Sequence, residues 1–203
     1  MVTAVRPRVG VLALQGDVRE HARVLTALGA DVALVRRPPE LAAVDGLVLP
    51  GGESSVMDKL ARAFGMQQPL RDAIAGGLPV YGTCAGLIFL ADRIEGGIDG
   101  QETLGGLDVV VARNAFGGQV ESFEADLDVD GFESPTHAAF IRAPIVTHVG
   151  ARARSLAALP DGRVVAVEQG GLLGTAFHPE VTGETRFHER FLDRVRERVA
   201  GRV

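Results

Sequence analysis

Apolar residues arrive along the first half of this chain in short blocks whose spacing keeps changing period. Residues 9–14 form a continuous apolar run, as a strand covered on both faces requires. Residues 17–28 then switch to helical spacing, with Val18, Ala22, Leu25 and Leu28 on one stripe and Gly29 as a stop. Residues 32–35 and 46–49 repeat the strand pattern, and Ser54 or Ser55 can cap a helix running through Met57, Leu60 and Phe64. A fourth strand over 78–82 leads into a helix through Leu87, Leu90 and Ile94. Alternation of this kind predicts an α/β fold: a mostly parallel open sheet with right-handed crossovers, flanked by helices on both faces.

Beyond about residue 96 the pattern changes. Short β-like runs at 107–112, 120–129, 163–168 and 172–177 are separated by glycine-rich turns and predict additional antiparallel strands. A last helix over 184–199 turns Phe187, Phe191, Leu192 and Val195 inward. No repeat, low-complexity segment or linker interrupts residues 1–203, so the expectation is one domain.

Composition narrows the function classes. A hydrophobic fraction of 46% with 23% charged residues is that of an ordinary globular protein. No apolar run approaches the roughly 20 residues that span a bilayer, and residues 1–8 lack a secretory signal, so a cytoplasmic location is expected. A net charge of −5 argues against nucleic acid as a partner. The arginines at 190, 194, 196, 198 and 202 alternate with acids and read as a solvated helix face.

The chain has 1 cysteine, Cys84, which excludes an intramolecular disulfide. A lone cysteine is more often a small buried hydrophobe than a reactive group, but its neighbours reverse that. Gly82-Thr83-Cys84-Ala85-Gly86 has the G-x-nucleophile-x-G form, with a strand before it and a helix after. The glycines permit a sharp turn that presents Cys84 at the C-terminal edge of the sheet, where open α/β folds place their sites. The adjoining helix N-terminus favours thiolate.

A thiolate nucleophile needs a base. His21 and His188 fall within helices as surface or packing residues, and His137 and His148 fall in irregular regions without an evident acid. His178 ends an apolar run and is followed by Pro179 and Glu180. In an extended segment, residues two apart point the same way, so Glu180 can fix the imidazole tautomer and leave the other nitrogen for Cys84. An oxyanion would find donors in the Ala85 amide and, from the turn Leu49-Pro50-Gly51-Gly52-Glu53-Ser54 after the third strand, in Gly52.

The elbow, the Pro-Gly-Gly-Glu-Ser turn and the late His-Pro-Glu, in that order, resemble the class I (triad) glutamine amidotransferases, a flavodoxin-like or Rossmann-like three-layer fold. More narrowly, the chain is similar to the glutaminase subunits of two-component pyridoxal 5′-phosphate synthases. That match is carried by residues 10–16 with Arg19-Glu20-His21, by 49–55, by Arg113-Asn114-Ala115-Phe116-Gly117 leading to Glu121-Ser122-Phe123-Glu124, and by Phe140-Ile141-Arg142-Ala143-Pro144. Ser55 and Gly118 depart from the pattern, where threonine and arginine are expected.

The resemblance implies roles that spacing does not assign. Gly52, Glu53, Ser54, Arg113, Ile141 and Arg142 would line a pocket for L-glutamine, with arginine as the reader of a carboxylate. Cys84, His178 and Glu180 would release ammonia for an oligomeric, barrel-shaped synthase subunit that builds pyridoxal 5′-phosphate, within a hetero-oligomer. No cofactor or metal is implied. Gating is expected at Pro50-Gly51-Gly52, with Gln15-Gly16 as a relay to the partner. A glutaminase subunit of histidine or purine biosynthesis would share the triad but lack the Arg-Asn-Ala-Phe-Gly and Phe-Ile-Arg-Ala-Pro stretches. A cysteine peptidase-like hydrolase would lack the Pro-Gly-Gly-Glu-Ser turn, and a non-catalytic partner-binding module would not need all three triad positions.

Overall fold

The computed structural model describes residues 6–113 and 122–201. Asn114, Ala115, Phe116, Gly117, Gly118 and Glu121, named above for the resemblance, lie outside the described residues. The first half reads β1 (Arg8–Leu12), α1 (Val18–Ala27), β2 (Asp31–Val35), α2 (Pro38–Ala42), β3 (Gly46–Leu49), α3 (Ser54–Ala63), α4 (Gln67–Ala75), β4 (Val80–Thr83), α5 (Ala85–Leu90) and β5 (Ala91–Glu95). The second half adds β6 (Leu107–Ala112), β7 (Ser122–Leu127), β8 (Thr136–Ile141), β9 (Ile145–Val149), β10 (Arg154–Ala158), β11 (Val164–Gln169) and β12 (Leu172–Thr175). It closes with α6 (Pro179–Thr182) and α7 (Arg186–Ala200).

The main sheet runs β2-β1-β3-β4-β12-β11-β9-β6-β5, with β10 paired on β11 and β7-β8 forming a separate antiparallel ribbon. From β2 to β12 every neighbouring pair is parallel. Strands β3, β4 and β12 are buried along their whole length, which is why they read as unbroken apolar or small-residue runs rather than alternating ones. The parallel direction brings the C-terminal ends of β1, β3, β4 and β12 to one edge. The segments that follow those ends carry Asp17, Gly52, Cys84 and His178.

Helix α7 lies across the back of the sheet. Phe191 meets Tyr81 of β4 at a ring separation of 6.0 Å, and Phe187 meets Phe177 at 5.3 Å. All four apolar residues expected to face inward from this helix are buried. Arg196 is exposed, as a solvated face requires, but Arg190 is not. Arg190 folds back to Glu168 at 2.8 Å and shares that carboxylate with Arg154.

Several elements differ from the sequence expectation. The helix after Cys84 stops at Leu90, and Ile94 belongs to β5, paired in parallel with Val111. The apolar stretch is too short for periodicity to separate helix from strand, and the partner strand decides it. Helix α4 escapes pattern reading because Pro69 falls inside it. Proline is tolerated there because a first-turn amide has no intrahelical acceptor to lose. Strands β8, β9 and β10 carry histidines, threonines and exposed residues that break any apolar run. His137 and His148 therefore lie on β8 and β9, and His137 has two acids beside it, Asp126 at 2.9 Å and Glu124 at 3.2 Å. Among the described residues no helix is long and apolar enough to cross a membrane.

Phe191 is fully buried at the junction of α7 and the sheet. Phe191→Ala should lower unfolding free energy by about 3–5 kcal/mol, read as a drop in the denaturant midpoint at unchanged slope. An unaltered midpoint would show that α7 does not dock through this residue.

Candidate active site

The turn at the end of β4 defines the site. Cys84 has φ 48° and ψ −104°, a conformation L-residues rarely adopt. Its amide donates to Thr175 O of β12 at 2.8 Å, and its carbonyl accepts from Ile88 N at 3.2 Å, so strand and helix both grip the residue. The two glycines flanking it are sterically required. A Cβ on Gly82 would lie 2.5 Å from Gly86 O, and one on Gly86 would lie 2.0 Å from Leu49 O. The backbones of β3, β4 and α5 touch directly, and the sharp turn expected from the pentapeptide is present.

His178 arrives from the end of β12. Its amide donates to Ala139 O of β8 at 3.2 Å, and its Nδ1 is 2.8 Å from Glu180 Oε1. The sequence expectation of an extended His-Pro-Glu segment needs correction. His178 has φ −114° and ψ 81°, but Pro179 is the first residue of α6, so Glu180 sits in a helical turn. Fixed proline geometry suits that first position. The helical turn brings the carboxylate back to the imidazole. Burial alone would lower the pKa of His178. The neighbouring Asp17, Cys84 and Glu180 outweigh it, and the pKa is pushed up to about 12.

Behind Glu180 lies a buried polar column. His21 Nε2 is 3.6 Å from Glu180 Oε1 and 3.0 Å from Thr83 Oγ1, while His21 Nδ1 meets His188 Nε2 at 2.9 Å. Both histidines are fully buried, and neither is a surface residue. Burial first, then the neighbouring His188 and His178, hold the pKa of His21 well below the usual value; burial takes that of His188 down to about 4. Both rings are therefore neutral near pH 7.

In front of the cysteine is a pocket of about 390 Å³. Its walls include Gly52, Glu53, Ser54, Cys84, Ala85, Arg113, Ile141, Arg142 and His178, which were all singled out from the sequence. Glu180 lies behind it. Gln15, Asp17, Ile88 and Val181 complete the lining. The polar end is tightly wired. Glu53 Oε1 accepts from Ser55 N at 3.1 Å, from Ser55 Oγ at 2.9 Å and from Arg113 Nη2 at 2.9 Å. Partial burial opposes the Glu53 charge, but the Ser55 bonds and then Arg113 and Arg142 hold its pKa below the usual range. Glu53, rather than Ser54 or Ser55, caps α3. Ser54 Oγ instead accepts from Gln101 Nε2 at 3.0 Å, and Gln101 Oε1 accepts from Arg113 Nη1 at 2.8 Å.

Arg142 holds φ 43°, a second strained non-glycine position beside the pocket. Gly52 has φ +152°, and a Cβ there would meet Gln15 Oε1 at 2.5 Å. The Glu53 amide donates to that same oxygen at 2.9 Å, which ties the turn after β3 to the segment after β1.

Gln101 and Asp17 are the polar site residues that sequence reasoning missed. No signal marks Gln101, which sits in a turn. Asp17 could have been found, since it follows β1 at the same sheet edge. Asp17, His178 and Glu180 are also a group among the described residues whose ligand atoms, all within 4.8 Å of one another, could hold a metal ion. Its Nδ1–carboxylate hydrogen bond accounts for the cluster without one.

Fold and site together define an α/β protein with an elbow cysteine at the C-terminal edge of a parallel sheet and a histidine–glutamate pair just after the adjoining strand. The chain belongs to the SNO glutamine amidotransferase family, whose model matches residues 11–197. It is 71% identical over 194 residues to the pyridoxal 5′-phosphate synthase subunit PdxT of Leifsonia xyli subsp. xyli (strain CTCB07), covering 95% of this chain and 98% of that one. The subunit of the same name from Clavibacter michiganensis subsp. michiganensis (strain NCPPB 382) is 64% identical over 198 residues, covering 97% and 94%. A crystal structure of a glutamine amidotransferase superposes with a TM-score of 0.86 at 46% identity, covering 92% of this chain and 98% of that one. A chain in the structure of PurLQS from Thermotoga maritima shares the fold alone, with a TM-score of 0.65 at 17% identity over 93% and 99% of the two chains.

The elbow packing can be tested directly. Gly86→Ala forces α5 away from β3, and overpacking of this kind costs about 1–3 kcal/mol. The thermal midpoint should fall by roughly 2–12 °C for a chain of this size, with reduced labelling of Cys84 by thiol reagents. A variant with unchanged midpoint and labelling would contradict the contact with Leu49.

Proposed function

We propose that this chain is a glutaminase, one domain over residues 1–203, that hydrolyses L-glutamine to L-glutamate and ammonia and delivers the ammonia to a synthase subunit making pyridoxal 5′-phosphate. The observation that carries the chemistry is the strained Cys84 at the floor of a pocket it shares with His178, whose Nδ1 is bonded to the buried Glu180. With Nδ1 engaged, Nε2 is the nitrogen left to serve Cys84.

The reaction then runs in two stages. Cys84 Sγ attacks the side-chain amide carbon of glutamine, and the carbonyl electrons move to oxygen, where the amides of Ala85 and Gly52 receive the charge. The tetrahedral species collapses, protonated His178 gives its proton to the departing nitrogen, the C–N bond breaks and ammonia leaves. A water molecule loses a proton to the same imidazole and adds to the γ-glutamyl thioester. The C–S bond breaks, releasing glutamate and restoring the thiolate. Arg113 and Arg142 supply positive charge for the substrate α-carboxylate, and Ile88 and Val181 supply apolar wall for its methylenes.

The subunit role rests on the relatives, which are named as subunits of a synthase, and on the chemistry of the product. Ammonia becomes ammonium near neutral pH and loses its nucleophilicity, so direct transfer to an acceptor avoids waste. Gating of the site fits the turn at Gly51-Gly52, where rotation of one peptide would turn an oxyanion donor toward or away from the pocket. The Gln15–Glu53 hydrogen bond offers a mechanical link from that turn to the sheet edge.

Cys84→Ala should abolish ammonia release while leaving the far-ultraviolet spectrum unchanged, and a glutamine-like diazoketone should label Cys84 in the native chain. Substantial release by the variant would defeat the assignment. At fixed glutamine, mixing the chain with the synthase partner that makes pyridoxal 5′-phosphate should raise the rate of ammonia release and give a larger species on a sizing column. No change in either would favour a free-standing glutaminase.

A further inference from the structure

Asp17 faces the same imidazole nitrogen as Glu180. Its Oδ2 lies 3.4 Å from His178 Nδ1, compared with 2.8 Å for Glu180 Oε1. The two acids reach the ring from different elements, Asp17 from the residue before α1 and Glu180 from α6. Their surroundings differ as well. The Glu180 side chain is fully buried, whereas that of Asp17 is 38% exposed and lines the pocket.

Asp17 stands at the N-cap position of α1, where aspartate ordinarily accepts a hydrogen bond from the first helical amides. Here its side chain makes no such bond, so the helix does not use the carboxylate. The backbone fixes where it goes. The Asp17 amide donates to Gly51 O at 3.1 Å. A Cβ on Gly51 would come within 2.7 Å of Asp17 Oδ2 and 2.5 Å of His178 Cε1. The lack of a side chain at residue 51 is therefore what lets both the acid and the ring close over that turn.

We propose that Asp17 is a second positioning carboxylate for His178, facing Nδ1 beside Glu180 and stabilising the ring when it is positively charged. This rests on the reading of His178 as the acid–base group. The charged and titratable groups that face His178 are Glu180 from α6, Cys84 from the elbow, and Asp17 and His21 from the α1 side, with His21 neutral. A separation of 3.4 Å is long for a hydrogen bond, so Glu180 sets the ring orientation and Asp17 acts chiefly through its charge. That charge matters most in the two steps where the imidazole carries an extra proton: after thiolate formation and after activation of water. It also supplies a substitute partner for Nδ1 when Glu180 is neutralised.

A double-mutant cycle on glutamine hydrolysis, measured with the synthase partner present, tests this. Asp17→Asn alone should lower kcat by about 2–5-fold at unchanged KM, the scale of a partly exposed charge pair. In the Glu180→Gln background the same change should cost about 10-fold or more, because no carboxylate remains on Nδ1. Asp17→Glu in that background should recover most of the rate lost with asparagine, which separates charge from mere packing. Equal factors in the two backgrounds, a loss confined to KM, or indistinguishable asparagine and glutamate variants would each overturn the proposal. Failure of the underlying triad reading shows itself differently, since Cys84→Ala or Glu180→Gln would then keep full turnover by itself.

Discussion

Cys84 is held at φ 48° and ψ −104° by backbone contacts that leave it no alternative. Such a conformation costs of the order of 1–3 kcal/mol and persists only where the surroundings over-determine it. Here the surroundings are the direct approach of Gly82 to Gly86 and of Gly86 to Leu49, with the Cys84 amide anchored on Thr175 O. Leu47, Leu49, Leu87 and Leu90, all fully buried in one hydrophobic core, supply hydrophobic stabilisation that offsets the strain. The same contact aims the cysteine at the pocket and sets the Ala85 amide beside it. The turn after β3 enters beside it and brings Gly52 into the pocket lining.

The rear of the site is built on different physics. A carboxylate as buried as Glu180 is costly unless its charge is answered. His178 answers it directly, and the column of His21, Thr83 and His188 lies beyond. With His188 Nε2–H donating to His21 Nδ1, His21 is left with an N–H on Nε2, directed toward Thr83 Oγ1 and Glu180. That assignment leaves a lone pair, rather than an N–H, unpaired on His188 Nδ1, which is the cheaper omission. Neutral rings here keep positive charge concentrated on His178. Electrostatic asymmetry across a few ångströms thus separates one protonated histidine at the pocket from two neutral ones behind it.

The polar end of the pocket follows a third logic, a chain of hydrogen bonds among Ser54, Gln101, Arg113 and Glu53. Each member fixes the next, so Arg113 is presented with little freedom left to lose on binding. Arg142, on a strained backbone just after β8, adds charge to the same pocket.

Some of this was legible in the residues. Uniform apolar runs marked the buried parallel strands, and the glycine pair around Cys84 announced an elbow. The adjacency of His178 and Glu180 placed an acid near a base because two residues cannot separate far. The arrangement linking them was misread, since local propensity does not say whether Pro179 continues a strand or starts a helix. Helix stripes were found by their apolar members, so His21 and His188 passed as surface or packing residues, although the fold buries them as a hydrogen-bonded pair.

The sequence by itself determined the strand–helix alternation, the elbow and the residue types available for acyl transfer, because those are set by local sterics and short-range periodicity. Tertiary structure alone decided that β12 inserts beside β4, setting a histidine 94 positions later in the chain next to Cys84. It decided equally that Gln101 braces Arg113 and that Asp17 turns from its helix toward His178. Those contacts depend on strand order and on which backbones approach without side chains between them, and neither is written in any local stretch of the chain.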